Sequence, residues 1–236
     1  MNLPDRMKAY EESFCRRMVI RTPLIVRVDG RAFHSFCRGM DRPFDVGLIG
    51  AMDGAAADVA GDMQGFKLGY VQSDEASFLL TDYDRLESQP WLGGVHSKIV
   101  SLSASLMTAA FNERGGFGKP AVFDGRAFNV PEADVANYFL WRARDWTRNS
   151  LAMYAQSVFS HKQLHGKNAT DMHEMLHGVG KNWTMDLRER ERNGCWLWRG
   201  DDGIEVASDV LPNYESVSTL LAGAVGPLFC ERKEPQ

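Results

Sequence analysis

Residues 24–30 read Leu24-Ile25-Val26-Arg27-Val28-Asp29-Gly30. The short apolar run with its β-branched residues predicts a buried strand, and Asp29-Gly30 ends it as a turn signal. Its neighbours come from residues 46–124. Ile49, Met52, Ala56, Val59 and Met63 recur at helical spacing, which predicts a helix over 46–63. Two strand-like runs, Phe66 to Val71 and Ala76 to Thr81, flank Gln72-Ser73-Asp74-Glu75 and predict a hairpin. Residues 97–112 return to helical spacing. Ile99, Leu102, Leu106 and Ala110 form an apolar stripe, while Lys98, Ser101, Ser105 and Thr108 lie on a polar one. Gly115-Gly116 breaks this helix, and Ala121 to Phe123 predicts a strand. Strand, helix, strand, strand, helix, strand over 24–124 is the split βαβ of ferredoxin-like folds. The expected class is α/β (α+β), a ferredoxin-like βαββαβ core whose antiparallel sheet is covered by helices on one face.

Around this core the chain reads as mostly helical additions. Helices are expected over 6–18, stopped by Arg21-Thr22-Pro23, over 132–143 after Pro131, and over 147–160 and 171–179. A short strand is expected over Cys195 to Arg199, and a last amphipathic helix from Tyr214 onward. No repeat or low-complexity stretch interrupts the chain.

Composition narrows the function classes. The 236 residues are 44% hydrophobic and 25% charged, ordinary for a globular protein. No apolar run approaches bilayer length, and the N-terminus lacks the basic-then-apolar pattern of a signal peptide. Cys15, Cys37, Cys195 and Cys230 include no close pair, which argues against a disulfide scaffold or a four-thiolate zinc site. The expectation is a soluble protein of a reducing, cytoplasmic compartment, with no membrane partner. The net charge of -4 hides a basic middle: residues 142–199 carry 10 Lys and Arg against 6 Asp and Glu. That fits a local polyanion surface, or simply solvated helix faces.

In a split βαβ the first and third strands are antiparallel neighbours. The end of the first, Asp29, therefore lies beside the start of the third, Asp74 and Glu75. Carboxylates meeting at one sheet edge repel unless a cation neutralises them. Mg²⁺ prefers a few carboxylates plus phosphate oxygens, and two such ions clamp the oxygens exchanged in phosphoryl or nucleotidyl transfer. The run Gly30-Arg31-Ala32-Phe33-His34 then offers turn N–H groups to a triphosphate, with Lys98, Ser101 and Ser105 facing it from the next helix. The plain alternative is that Asp-Gly and Ser-Asp only form turns.

These residues carry a resemblance. Arg27-Val28-Asp29-Gly30-Arg31-Ala32-Phe33-His34 and Gln72-Ser73-Asp74-Glu75-Ala76-Ser77-Phe78 resemble the two signature blocks of the tRNA-His guanylyltransferase family. Asp5-Arg6-Met7-Lys8-Ala9-Tyr10-Glu11 and Ser97-Lys98 also match, and Leu164-His165-Gly166 and the strand ending at Trp198 match more loosely. The resemblance runs from about residue 5 to 199. It implies a polymerase-palm core over 1–130 and a helical, tRNA-contacting extension over 131–236. The implied activity is nucleotide addition in the 3′-to-5′ direction. ATP activates a tRNA 5′-monophosphate, releasing pyrophosphate, and the 3′-hydroxyl of an incoming GTP or other nucleotide attacks the activated end. Carried over, Asp29 and Asp74 are catalytic and hold two Mg²⁺ with the Gly30 carbonyl. Asp29, Gly30, Arg31, Ala32, Phe33, His34, Ser73 and Asp74 line the triphosphate, and Lys98 neutralises it. A homotetramer is also implied.

The chain departs from the family's eukaryotic members at their His-Ile-Asn-Asn-Leu-Tyr-Asn segment. Here the stretch is Thr147-Arg148-Asn149-Ser150-Leu151-Ala152-Met153, keeping only Asn149 and Leu151. This resembles the bacterial, archaeal or phage branch, which favours template-dependent repair of 5′-shortened tRNA over strict tRNA-His maturation. Arg148, Asn149, Lys162 and Lys167 are the leading tRNA contacts, with Lys181, Arg188, Arg190 and Arg192 as further phosphate contacts. A rival motif is His173-Glu174-Met175-Leu176-His177, the zinc-protease pattern. Position 183, where the extended form places a third His, is Trp183. A degenerate palm that only binds RNA is the non-enzymatic alternative.

Overall fold

The computed structural model describes residues 1–225. In chain order these form α1 (Leu3–Glu12), β1 (Leu24–Gly30), α2 (Phe33–Phe36), α3 (Val46–Asp62), β2 (Phe66–Gln72), β3 (Glu75–Leu80), α4 (His96–Gly115) and β4 (Phe123–Asn129). Then come α5 (Val135–Val158), α6 (His161–Leu164), α7 (Ala169–Gly178), α8 (Trp183–Asp186), α9 (Glu189–Asn193), β5 (Cys195–Arg199), β6 (Ile204–Ala207) and α10 (Tyr214–Val225). The six strands make one sheet in the order β4-β1-β3-β2-β5-β6, antiparallel throughout. Its first four strands are the expected ferredoxin-like arrangement. β1 is central, with Leu24 opposite Leu80 and Asp29 opposite Glu75 on β3.

Side chains alternate across a strand, so each face has its own composition. Val26, Val28, Ala76 and Phe78 face α3 and α4, where they meet Met52, Ala55, Ala56, Ile99 and Met107 in one fully apolar layer. Alanines on α3 let that helix approach the sheet closely. Ile25, Leu68, Tyr70, Leu79 and Trp196 point the other way, under Phe139 and Ala143 of α5 and Val217 and Leu221 of α10. The sequence predicts helices on one face only. The second face is as apolar at its lower end as the first, and α5 and α10 cover it.

Several boundaries differ from the sequence reading. The helix expected over 6–18 ends at Glu12, where the Ser13 hydroxyl donates to the Tyr10 carbonyl at 2.7 Å. The chain beyond it pairs instead with the segment before α4, through an Arg17–Val95 bridge. The strand expected over 121–123 runs from 123 to 129. Asp124, Gly125 and Arg126 hid it, because an edge strand tolerates polar residues that a central one does not. The helices over 132–143 and 147–160 are one helix, α5; no breaker separates them. The helix expected over 171–179 is α7, whereas β6 and the short helices α6, α8 and α9 carry too little periodicity to be foreseen. No described helix is long and apolar enough to cross a membrane. Cys15, Cys37 and Cys195 are free thiols; Cys230 lies outside the described residues.

Candidate active site

Along β1, the face under α5 changes character towards the strand's C-terminal end. Ile25 lies opposite Leu79, then Arg27 opposite Ser77, then Asp29 opposite Glu75. Apolar contact gives way to a hydroxyl pair, Ser77 with Tyr138 at 2.8 Å, and then to charge. The β4 neighbours follow suit, with Arg126 beside Arg27 and Asp124 beside Asp29. Ionisable groups thus collect where β1 ends and the β2–β3 hairpin turns.

The backbone there is tightly built. Ser73 and Asp74 form a two-residue loop between the paired Gln72 and Glu75, shorter than the four residues expected. Ser73 adopts φ 47° and Ala32 φ 56°, left-handed conformations that cost a non-glycine residue energy and concentrate at functional turns. The Gly30 N–H donates to the Asp74 carbonyl at 2.9 Å, tying the end of β1 to the hairpin. A Cβ on Gly30 would sit 2.2 Å from the Phe33 ring, so glycine is required for that close approach. Phe33 in turn is buried among Phe36, Phe111 and Phe123 and anchors the turn from below.

Three carboxylates converge at this end, in two different states. Glu75 is buried and locked: Arg142 of α5 binds it through two bonds of 2.7 Å, and Arg27 reaches it at 2.6 Å. Asp29 and Asp74 line an open cleft, and neither forms an ion pair with Lys or Arg among the described residues. Burial pushes the Asp74 carboxyl up to about 6. The Ser73 side chain opposes the shift by hydrogen bonding, and the Asp29 and Glu75 charges add to it. An acid held in that state favours a cation beside it. The donors present, two carboxylates and the Gly30 carbonyl, are hard oxygens. Among the described residues no group of three or more His, Cys, Asp and Glu is placed to hold a metal. A site of two carboxylates completed by substrate and water suits Mg²⁺ and does not suit structural zinc.

Two clefts meet at Asp74. One, of about 320 Å³, is lined by Asp29, Gln72, Arg142, Trp146, Asn149 and Met153, among others. The second, of about 420 Å³, is lined by His34, Cys37, Arg38, Asp41 and Arg42 together with Ser73 and Asp74. Of the sequence-predicted site, Asp29, Gly30, Phe33, His34, Ser73 and Asp74 are brought together. Arg31 and Ala32 lie on the same turn and are exposed, with the Arg31 N–H held by the Val122 carbonyl at 2.8 Å. Lys98 is not brought there. α4 starts at the sheet end where β3 finishes, beside residues 16–18, so exposed Lys98 stands towards the far end from Asp29; only further along does the helix reach the site end, where Thr108 accepts from the Phe123 N–H opposite Gly30. The sequence predicts a helix facing the turn along its whole polar stripe; its direction prevents this at its first turn.

Arg38 and Arg42 escaped the sequence reading, although they form a basic pair flanking a glycine turn. Arg142 escaped because only the fold sets it beside Glu75. Among the expected RNA contacts, Arg148, Asn149, Lys162, Lys167 and Lys181 are exposed, with Arg148 bonded to Asp145 at 2.6 Å. Arg190 is not free for RNA: it is half-buried and paired with Asp53 at 2.7 Å. Arg192 lies over the Trp183 ring, and Arg188 pairs with Glu191. In the His173-Glu174-x-x-His177 segment, His173 packs edge-on against Trp183 and His177 is exposed, with no third ligand near among the described residues.

Comparison with known proteins points to one family. The family model described as tRNAHis guanylyltransferase matches residues 4–131. A tRNA(His) guanylyltransferase of Schizosaccharomyces pombe is 29% identical over 217 residues, covering 82% of this chain and 79% of that protein. A solved bacterial tRNA(His) guanylyltransferase-like protein in complex with ATP superposes with a TM-score of 0.89 at 38% identity, over 95% of this chain and all 100% of the other. Another, in complex with GTP, gives a TM-score of 0.80 at 32% identity, with coverage of 95% and 100%.

Proposed function

Because this chain belongs to the tRNAHis guanylyltransferase family, we propose that it is a nucleotidyltransferase that extends the 5′ end of tRNA in the 3′-to-5′ direction. The observation that carries the reading is the pair Asp29 and Asp74: without a basic partner, lining one cleft, and repelling each other. The chemistry runs in two transfers. In the first, an oxygen of the tRNA 5′-monophosphate attacks the α-phosphorus of ATP. A phosphoanhydride forms and pyrophosphate leaves. In the second, the 3′-hydroxyl of an incoming nucleoside triphosphate attacks the activated 5′-phosphorus. A phosphodiester forms, AMP leaves, and the hydroxyl proton passes to solvent.

This chain's own residues act chiefly by positioning and charge. His34, Arg38 and Arg42 line the second cleft, with Asp41 and Asp74, and are placed to hold phosphate oxygens. Asp29, Asp74 and the Gly30 carbonyl would hold Mg²⁺, which when bound screens phosphate charge and acidifies the attacking hydroxyl. Glu75, locked by Arg27 and Arg142, holds α5 against the end of the sheet, so the cleft keeps its width. Residues 1–130 supply the carboxylates, and α5, within the extension expected over 131–236, supplies the opposite wall. Exposed Arg148, Asn149, Lys162 and Lys167 on that side are assigned to tRNA, as contacts to its backbone. The pattern at 147–153 favours 5′-end repair over strict tRNA-His maturation.

The resemblance implies a homotetramer. α1 supports an assembly, since it buries none of its residues and leaves Leu3, Met7, Tyr10 and the following Phe14 exposed. The deciding experiment incubates the protein with full-length and 5′-truncated tRNAs, labelled nucleotides, ATP and Mg²⁺. The expected result is labelled product on the truncated tRNAs. Absence of any 5′ extension on either substrate would contradict the reading.

A further inference from the structure

The outer side of α5, away from the cleft beside Asp29, carries a second feature. Asn137, Leu140, Trp141, Arg144 and Arg148 recur at helical spacing and line a shallow groove of about 530 Å³. Two of the five are cations, and among the described residues no carboxylate lines the groove. Arg148 bonds Asp145 at 2.6 Å yet stays exposed. Arg144 is exposed and forms no ion pair among the described residues; its Nε donates to the Pro212 carbonyl at 3.4 Å.

Trp141 stands between these charges and is 54% exposed. Its ring is nevertheless held. The Arg142 guanidinium carbon lies 4.6 Å from the ring centroid, and Tyr138 meets the ring edge-on with centroids 6.0 Å apart. Both holders are themselves fixed, Arg142 by Glu75 and Tyr138 by Ser77. An indole fixed on one side and open to solvent has already lost the rotamer freedom that a stacked partner would otherwise cost.

We propose that Trp141 is a stacking platform for an unpaired base at the 3′ end of the tRNA, with Arg144 and Arg148 beside it for the neighbouring phosphates. Single-stranded RNA is held by this combination, an aromatic face with cations along one groove. A second copy of the chain or an apolar peptide fits less well, because the groove's apolar surface is Leu140 and the indole alone, set among arginines. The source of the base follows from position. Arg142 touches both the Trp141 ring and, at 2.7 Å, the Glu75 carboxylate, and Glu75 lies opposite Asp29. One side chain therefore separates the platform from the catalytic edge. With a tRNA 5′ end at Asp29 and Asp74, the nearest unpaired bases are those of the 3′ strand, which runs past the end of the acceptor stem. The proposal rests on the Asp29–Asp74 centre being the site of 5′ addition.

The test measures equilibrium binding of the full chain to a 5′-truncated tRNA and to the same RNA with its unpaired 3′ nucleotides removed. It compares wild type, Trp141→Ala and Trp141→Phe. Trp141→Phe keeps a ring for Arg142 to cover, so it retains the fold even where the alanine variant does not. Wild type should bind the intact RNA about tenfold more tightly than the trimmed one, the scale of one stacked base. Trp141→Ala should lose that preference, binding the intact RNA about tenfold more weakly and the trimmed RNA as wild type does. Trp141→Phe should keep most of the preference. A purely structural role would weaken binding of both RNAs alike. Wild-type affinity indifferent to trimming, or equal weakening of both RNAs by Trp141→Ala, overturns the platform. A Trp141→Ala protein that changes its subunit count in light scattering while keeping the preference also overturns it and gives the ring to a second copy. Absence of 5′ addition by the wild-type protein on the intact RNA overturns the catalytic reading beneath, whatever the two affinities.

Discussion

The two faces of the sheet are built from the same strands and do different work. The face under α3 and α4 is apolar from end to end, and its residues are close-packed. The face under α5 and α10 starts equally apolar at Ile25 and Leu79 but ends in Arg27, Asp29 and Glu75. One face holds the fold together; the other gives up burial at one end to hold ionisable groups beside a cleft. Substitutions in the closed face and at the open carboxylates should therefore move stability in opposite directions.

The largest effect belongs to the closed face. Phe78 is fully buried there, and Phe78→Ala should cost about 3–5 kcal/mol in denaturant unfolding. Arg142→Met comes next. It leaves Glu75 with Arg27 alone, and the loss should fall at the low end of roughly 3–5 kcal/mol. Adding Glu75→Gln should restore part of it, and a double-mutant cycle measures how much. Asp74→Asn should do the reverse and stabilise. The Asp74 carboxyl is held up to about 6 in the folded protein, so it is ionised at a cost above that pH and protonated below it. The folded state binds the extra proton between the ordinary carboxylate range and pH 6, so stability falls as pH rises through that window. With divalent ions chelated, the variant should gain on the order of 2 kcal/mol at about pH 8, and the gain should fade towards about pH 4. The smallest effect is Arg148→Ala, which should leave stability unchanged and lower the salt slope of tRNA binding by about one.

Much of this is legible in the sequence. The order of elements over 24–124 predicts the sheet, because each strand is either a β-branched apolar run or bounded by a strong turn. Asp29 and Asp74 follow from the topology alone, since antiparallel pairing of β1 and β3 leaves their ends nowhere else to meet. What was not legible depended on tertiary contact. Glu75 looks equivalent to Asp74 in sequence, yet Arg142, 67 residues away, makes it structural. Lys98 sits at a helical spacing consistent with the site, but the direction of α4 removes it. Arg190 looks like any surface cation until Asp53 is found against it. β4 was misjudged because an edge strand needs no continuous apolar pattern.

The most direct test compares the wild-type protein with Asp29→Asn and Asp74→Asn, each confirmed folded, for Mg²⁺-dependent transfer of labelled nucleotide to a 5′-truncated tRNA. The account predicts that each variant loses on the order of a thousandfold in rate while unfolding at least as cooperatively as wild type. A variant that retains activity within about tenfold of wild type would contradict the assignment of these two carboxylates.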